Sequence, residues 1–339
     1  MLLRAKAPLR VSFAGGGTDV APFPQQQGGA VLSATIDRYA YGSLCSRSDG
    51  QIRIESVDYG MSVDFPAGQP PVLDGKLDLV KAVIQRLSGG ETGGYDIVLQ
   101  SNAPPGSGLG SSSTVMVTLI GLLKERYVLP LSDYDVAQLA FTVEREDLGI
   151  KGGLQDQYAA TFGGFNYIEF EADRVIVNPL RIRDDIVNEL EHNLLLCYTG
   201  ITRASTGIIE DQTSRFTARE DDALEGLRMQ KQLAVDMKSA LLRSELTRFG
   251  ELLGSAWEYK KRMSPKITNA HIDEAYELAL SEGAIGGKIT GAGGGGYLLL
   301  YCDFRRKHRV AQALGKMGVT VADFAFARNG LTTWRAPDE

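Results

Sequence analysis

The stretch YDIVLQSNAPPGSGLGSSSTVMVTLIGLLKERY, residues 95–127, constrains this chain more than any other. Residues 95–103 read as a strand, 104–113 are rich in glycine and serine, and the apolar run from Thr114 reads as a helix. Strand, glycine loop, helix is the layout of an anion site. Glycines at 106, 108 and 110 let successive backbone N–H groups turn inward. The helix start adds roughly half a positive charge, and Ser111, Ser112 and Ser113 are placed to cap it. A Walker A loop needs lysine after its last glycine, but Ser111 follows Gly110. Any phosphate here is therefore held by main-chain amides. An ordinary glycine-rich turn has the same composition, so the stretch alone does not decide.

At 339 residues the chain has the length of about two domains. Its 39 glycines are clustered and need a local reason. A net charge of −6 argues against nucleic acid and anionic membranes as partners, because both call for a basic stripe. Cys45, Cys197 and Cys302 are far apart and outside any CxxC, which suggests neither disulfides nor zinc and points to a reducing cytoplasm. The start, MLLRAKAPLRVSF, is interrupted by charges and Pro8 and reads as neither signal peptide nor membrane span.

Apolar runs over residues 2–14 predict one or two strands broken at Pro8, followed by β-rich segments at 29–44 and 51–65 and a helix at 76–88. A second helix is expected from Asp133 to Asp147, with Ser132 and Asp135 as a capping box. FNYIEFEA and RVIVNPL predict a hairpin. A new strand at 192–200 after the charged segment RIRDDIVNELE divides the chain into 1–185 and 190–339. The second part predicts helices at 217–244, 245–263, 271–282 and 305–317, with strands at GKIT, YLLLYC and VTVADFAFA. The fold class is α+β, with two domains around a cleft. GAGGGG (291–296) satisfies GxGxxG but leads into a strand rather than a helix, which argues against a dinucleotide-binding oxidoreductase.

PPGSGLGSSS (104–113) resembles the second motif of the GHMP small-molecule kinases, whose phosphate loop lacks the Walker lysine. KAPLRVSFAGGGTDV (6–20) and KITGAGGGGYLLLY (288–301) are similar to that family's first and third motifs, in the same order. The resemblance implies a two-domain architecture: an N-terminal α+β domain with a left-handed βαβ crossover and a ferredoxin-like C-terminal domain. It also implies ATP and Mg²⁺ as cofactors. Pro105, Gly106, Ser107, Gly108, Leu109, Gly110 and the three serines would line the nucleotide, with Ser112 and Glu144 on the metal. Asp156 aligns with the family's catalytic carboxylate and Arg10 with its basic partner. Glu144 falls within the apolar arc of its helix, where a carboxylate needs a partner. Asp147 is also on that side, and a helix-end ion pair would explain either acid.

Gly17, Thr18 and Asp19 of GGGTD, together with Gly291, Gly293 and Gly294, are the expected sugar-binding set; Asp19 suits vicinal hydroxyls, and an Asx turn is the plain alternative. GGGTD departs from the galactokinase pattern, where two bulky polar side chains stand. GGGTD, YTGITRAS (198–205) and SAWEYKKRMSPKITN (255–269) most resemble the bacterial heptose 7-phosphate kinases, with fucose kinase or another sugar kinase of the family as the alternative. A substrate already phosphorylated needs a second anion site, for which Arg203, Lys260, Lys261, Arg262 and Lys266 are the available cations. The expected partners are ATP and a small sugar phosphate, without nucleic acid or membrane, and homodimer formation is left open.

Overall fold

The computed structural model describes residues 2–89, 93–203 and 205–337; Ala204 of the YTGITRAS stretch lies outside them. Strand β1 (Leu2–Ala14) runs unbroken through Pro8. Proline cannot donate to a ladder, and the pairing of β1 with β2 (Gly29–Ser46) shifts register between Pro8 and Arg10, so an irregularity accommodates the ring without ending the strand. At 18 residues, β2 serves two neighbours on its other edge: residues 29–34 pair with β6 (Phe165–Phe170) and 40–46 with β5 (Tyr95–Ser101). β5 pairs in parallel with β3 (Gln51–Ser56), which forms a hairpin with β4 (Met61–Pro66), while β6 forms one with β7 (Val175–Pro179). A last strand, β12 (Thr332–Arg335), pairs with β1. Among the described residues this sheet has eight strands, and residues 190–339 are not confined to the second sheet.

Beyond the short helix α1 (Phe23–Gln27), helices α2 (Asp78–Leu87), α3 (Ser111–Tyr127), α4 (Asp133–Phe141) and α5 (Gln155–Phe162) cover this sheet, packing Val83, Leu119 and Val136 on Ile54, Ile97 and Leu99. The Ser132–Asp135 capping box at the start of α4 is present, with the Ser132 amide donating to Asp135 Oδ2 at 2.8 Å. The helix does not stay α-helical to Asp147; residues Thr142–Asp147 form a π-helical turn, a local widening frequent at functional sites. That turn buries the consecutive residues Val143 and Glu144.

The charged segment taken as a boundary forms α6 (Asp184–Asn193). Beyond it, β8 (Leu194–Tyr198), β9 (Ala284–Ile289), β10 (Tyr297–Cys302) and β11 (Thr320–Ala322) form a sheet in the order β11-β8-β10-β9. The pairs within it are antiparallel. α7 (Thr206–Thr217), α8 (Asp221–Leu242), α9 (Leu246–Met263) and α10 (Ala270–Ser281) join β8 to β9, and α11 (Lys307–Lys316) joins β10 to β11. This is the expected ferredoxin-like β-α-β-β-α-β pattern, enlarged in its first crossover. α7 is hidden in the sequence because Gln212 takes the middle of its buried row Ile208, Gln212, Phe216.

One core is shared by both sheets, with Leu9, Val11 and Phe13 of β1 packed among Leu196, Met237, Phe249 and Leu299. Ala103 and Leu109, at either end of the glycine loop, are buried in it. The loop is therefore pinned at both ends beside the seam between the sheets. No helix among the described residues is long and apolar enough to cross a membrane.

Candidate active site

Helix α3 starts on Gly110, at φ 78°, and no side chain caps it. The serine cap expected from the sequence does not form, because the hydroxyls are used elsewhere. Ser111 Oγ is 2.9 Å from Ser101 Oγ, and Ser113 Oγ donates to Glu144 Oε2 at 2.7 Å. The first-turn amides are left facing the cleft, where their partial positive charge attracts an anion. Gly106 and Gly108 are also left-handed, at φ 75° and 82°, and the Ser107 hydroxyl is buried without a hydrogen-bond partner among the described residues. An orphaned donor beside uncapped amides fits a phosphate.

The glycine run Gly291–Gly296 crosses directly over this loop. A Cβ on Gly291 would lie 2.6 Å from Gly108 Cα, and the Tyr297 amide donates to Ser107 O at 3.2 Å. The run enters β10, so the segment opens no helix and cannot serve as a dinucleotide fingerprint.

Between these loops lies a cleft of about 180 Å³. Asp156, in the first turn of α5, sits against the α3 N-terminus: a Cβ on Gly110 would be 3.2 Å from its Cγ. Buried Arg10 donates from Nε to Asp156 Oδ1 (2.8 Å), brings Nη2 to 2.6 Å of the same oxygen, and donates from Nη1 to Gly108 O (2.6 Å). One guanidinium thus ties the carboxylate to the loop. Glu144 is only 2% exposed and lines the cleft; Ser113 Oγ and Gln157 Nε2 each donate to its Oε2 at 2.7 Å. Its cationic neighbour, Arg145, is 3.4 Å away. Asp147 instead makes the helix-end pair with Arg86, at 2.7 Å.

Asp19 is buried, and its carboxylate accepts from the amides of Gly17 (3.0 Å) and Gln155 (3.1 Å). Burial pushes its carboxyl above the ordinary value; the Gln155 amide opposes this and the Asp156 charge adds to it. A Cβ on Gly153 would overlap Asp19 Oδ2. On the sugar-binding role that the family resemblance implies for Asp19, Gly153→Ala should displace it and raise the KM for the sugar about tenfold or more while leaving the KM for ATP unchanged, measured by coupled ADP release. Equal KM values in variant and parent would remove Asp19 from sugar binding.

Several expected site residues lie elsewhere. Thr18 is buried with Oγ1 engaged by Gly15 O, Ala30 O and the Ala30 amide, so it closes the turn and does not face the cleft. Leu109 is a core residue, and Pro105 faces a neighbouring pocket. Gly294 bonds Ile267 O (2.7 Å) and Asn269 Nδ2 (3.2 Å), while Gly17, Gly291 and Gly293 line the cleft. Of the five cations, Lys261, Arg262 and Lys266 are engaged by Glu258, Glu225 and Asp211. Arg203 and Lys260 line the cleft, Arg203 exposed and Lys260 buried.

The family model described as GHMP kinases N terminal domain matches residues 78–164, and the one described as GHMP kinases C terminal matches 237–320. The chain is 40% identical over 337 residues to the D-glycero-alpha-D-manno-heptose 7-phosphate kinase of Campylobacter jejuni subsp. jejuni serotype O:2, covering 98% of this chain and 99% of that one. It belongs to the GHMP kinases. Among solved structures, a D-glycero-D-manno-heptose 1-phosphate kinase from Bacteroides thetaiotaomicron superposes with a TM-score of 0.84 at 37% identity, covering 99% of this chain and all of that one. Lactococcus lactis galactokinase, at 21% identity and TM-score 0.76, covering 98% of this chain and 95% of that one, shares the fold. The chain is thus a GHMP sugar kinase, a phosphotransferase.

In this GHMP kinase, Ser113 Oγ meets the Glu144 carboxylate at 2.7 Å, and Ser112 lines the same cleft. Such hard donors fit magnesium, which takes few protein ligands and retains waters and phosphate oxygens. The sequence reading missed Gln157, which orients Glu144, and Gln155, which holds Asp19. The signal was present in QDQ, two amides flanking an acid where no strand or helix face required them.

Proposed function

We propose that the chain transfers the γ-phosphoryl group of ATP to the anomeric hydroxyl of D-glycero-α-D-manno-heptose 7-phosphate. The observation that carries this is the placement of Asp156, tethered by Arg10, against the uncapped start of α3 in a cleft that Asp19 also lines. The sugar is inferred from the full-length similarity to the Campylobacter kinase.

The amides of Gly108 to Ser113 and the Ser107 hydroxyl bind the triphosphate. Ser112, Ser113 and Glu144 would hold magnesium, which supplies charge neutralisation on the phosphates when bound. An apolar pocket of about 400 Å³ begins where Ser111 and Ser112 leave the cleft, and its walls of Tyr59, Leu77, Leu99 and Met116 suit the adenine ring. Asp156 takes the proton of the anomeric hydroxyl as that oxygen bonds to the γ-phosphorus and the bridging bond to ADP breaks. Arg10 keeps the carboxylate aimed. Arg203, exposed on the rim and in no ion pair among the described residues, is a cation suited to the distal phosphate. Three unpaired cysteines suit a reducing cytoplasm.

A coupled ADP-release screen over heptose 7-phosphate, fucose, galactose, mannose and glucuronate tests the substrate. The phosphorylated heptose should give the highest kcat/KM, with the new phosphate on the anomeric oxygen by phosphorus NMR. A neutral hexose outperforming it would refute the heptose assignment.

A further inference from the structure

Lys260 is 3% exposed on the apolar face of α9, in register with Leu253, Ala256, Trp257 and Met263. A buried ammonium is costly and usually has a carboxylate partner. Here Nζ donates to the Gly291 carbonyl, and no carboxylate among the described residues is in ion-pair contact with it. An ammonium carries three donors, so two are left over. Burial first and the Arg10 charge second bring the Lys260 pKa down to about 8, against the opposing charges of Asp19 and Asp156. Lys260 is therefore near both acids of the cleft without touching either.

Gln155 supplies the complementary group. It is buried, its Nε2 lies 3.4 Å from Asp19 Oδ1, and its Oε1 has no partner among the described residues. Both side chains line the cleft and converge beside Gly16, where a Cβ would stand 3.7 Å from each of Lys260 Nζ, Gln155 Nε2 and Ser12 Oγ. Leftover donors on Lys260 and an orphaned acceptor on the neighbouring Gln155 amide match one group that both donates and accepts, a hydroxyl.

We propose that Lys260 and Gln155 bind the sugar hydroxyl on the carbon next to the reacting centre, Lys260 donating to its oxygen and Gln155 Oε1 accepting its hydrogen. Asp19 then takes the following hydroxyl, and the three groups fix the ring so that the anomeric oxygen meets Asp156. This rests on the acceptor being a pyranose oriented as above. It also gives Lys260 a place at the reacting end of the sugar, away from any distal phosphate.

The test is a residue-by-substrate cycle using the best acceptor from the screen and its 2-deoxy analogue. Lys260→Met keeps the stem and removes the charge. It should cut kcat/KM for the parent sugar about 10- to 100-fold with the KM for ATP unchanged. The analogue should cost the native enzyme a similar factor and cost the variant little more. Gly16→Ala, whose methyl meets no atom closer than 3.7 Å, should leave the melting temperature and ADP affinity intact while raising the KM for the parent sugar. Losses that multiply in the cycle, or a KM change for ATP rather than sugar, would overturn the proposal. Failure of the heptose assignment would show separately, as another pyranose winning the screen; the cycle run on that sugar still tests Lys260.

Discussion

Asp156→Asn should bind ADP as tightly as the native enzyme while its turnover falls by ~10² to 10⁴. Asparagine retains an Oδ1 in the position where Arg10 Nε donates at 2.8 Å, so the guanidinium keeps an acceptor there and also keeps Gly108 O at 2.6 Å. Replacement by alanine would instead leave a buried cation without its counter-charge and would confuse lost chemistry with lost stability. What asparagine cannot do is accept the proton of the reacting hydroxyl. Single-turnover phosphoryl transfer and an ADP titration on the same preparation separate the two. Undiminished turnover would remove Asp156 from the base role.

Gly108→Ala should damage nucleotide binding instead. At φ +82° an L-residue is strained by ~1 to 2 kcal/mol. The new Cβ would also stand 2.6 Å from the Thr290 carbonyl, which belongs to backbone rather than to a movable side chain. Thr290 is fixed in turn by its amide donating to Tyr297 O at 2.9 Å. The loop must therefore shift, carrying the amides away from the phosphates. ATP affinity should drop by about 100-fold, since each ~1.4 kcal/mol is a factor of ten. Isothermal titration with ADP measures it. Native affinity in the variant would show that this loop does not hold the nucleotide.

The phosphate loop was legible in the sequence because its conformation is imposed locally: glycines supply left-handed backbone, and the helix after Gly110 follows from composition. The Ser132–Asp135 cap was legible for the same reason. Roles that depend on distant packing were not. Ser111 and Ser113 read as helix caps, yet Ser101 and Glu144, brought alongside by folding, compete for their hydroxyls. Thr18 read as a sugar ligand because nothing near it in the sequence reveals that Ala30 occupies its hydroxyl. Lys260 read as part of a charge run, while its register with Leu253 and Trp257 on α9 placed it inside. Strand β12 was missed because four residues pairing with Leu3–Lys6, at the far end of the chain, leave no periodic trace.

The seat of the nucleotide can be observed directly in a crystal structure with magnesium and a non-hydrolysable ATP analogue. Its β- and γ-phosphates should lie on the amides of Gly108 to Ser113, with no lysine ammonium in contact. A triphosphate bound elsewhere, or held by Lys260, would contradict the roles assigned to the loop, to Asp156 and to Lys260 together.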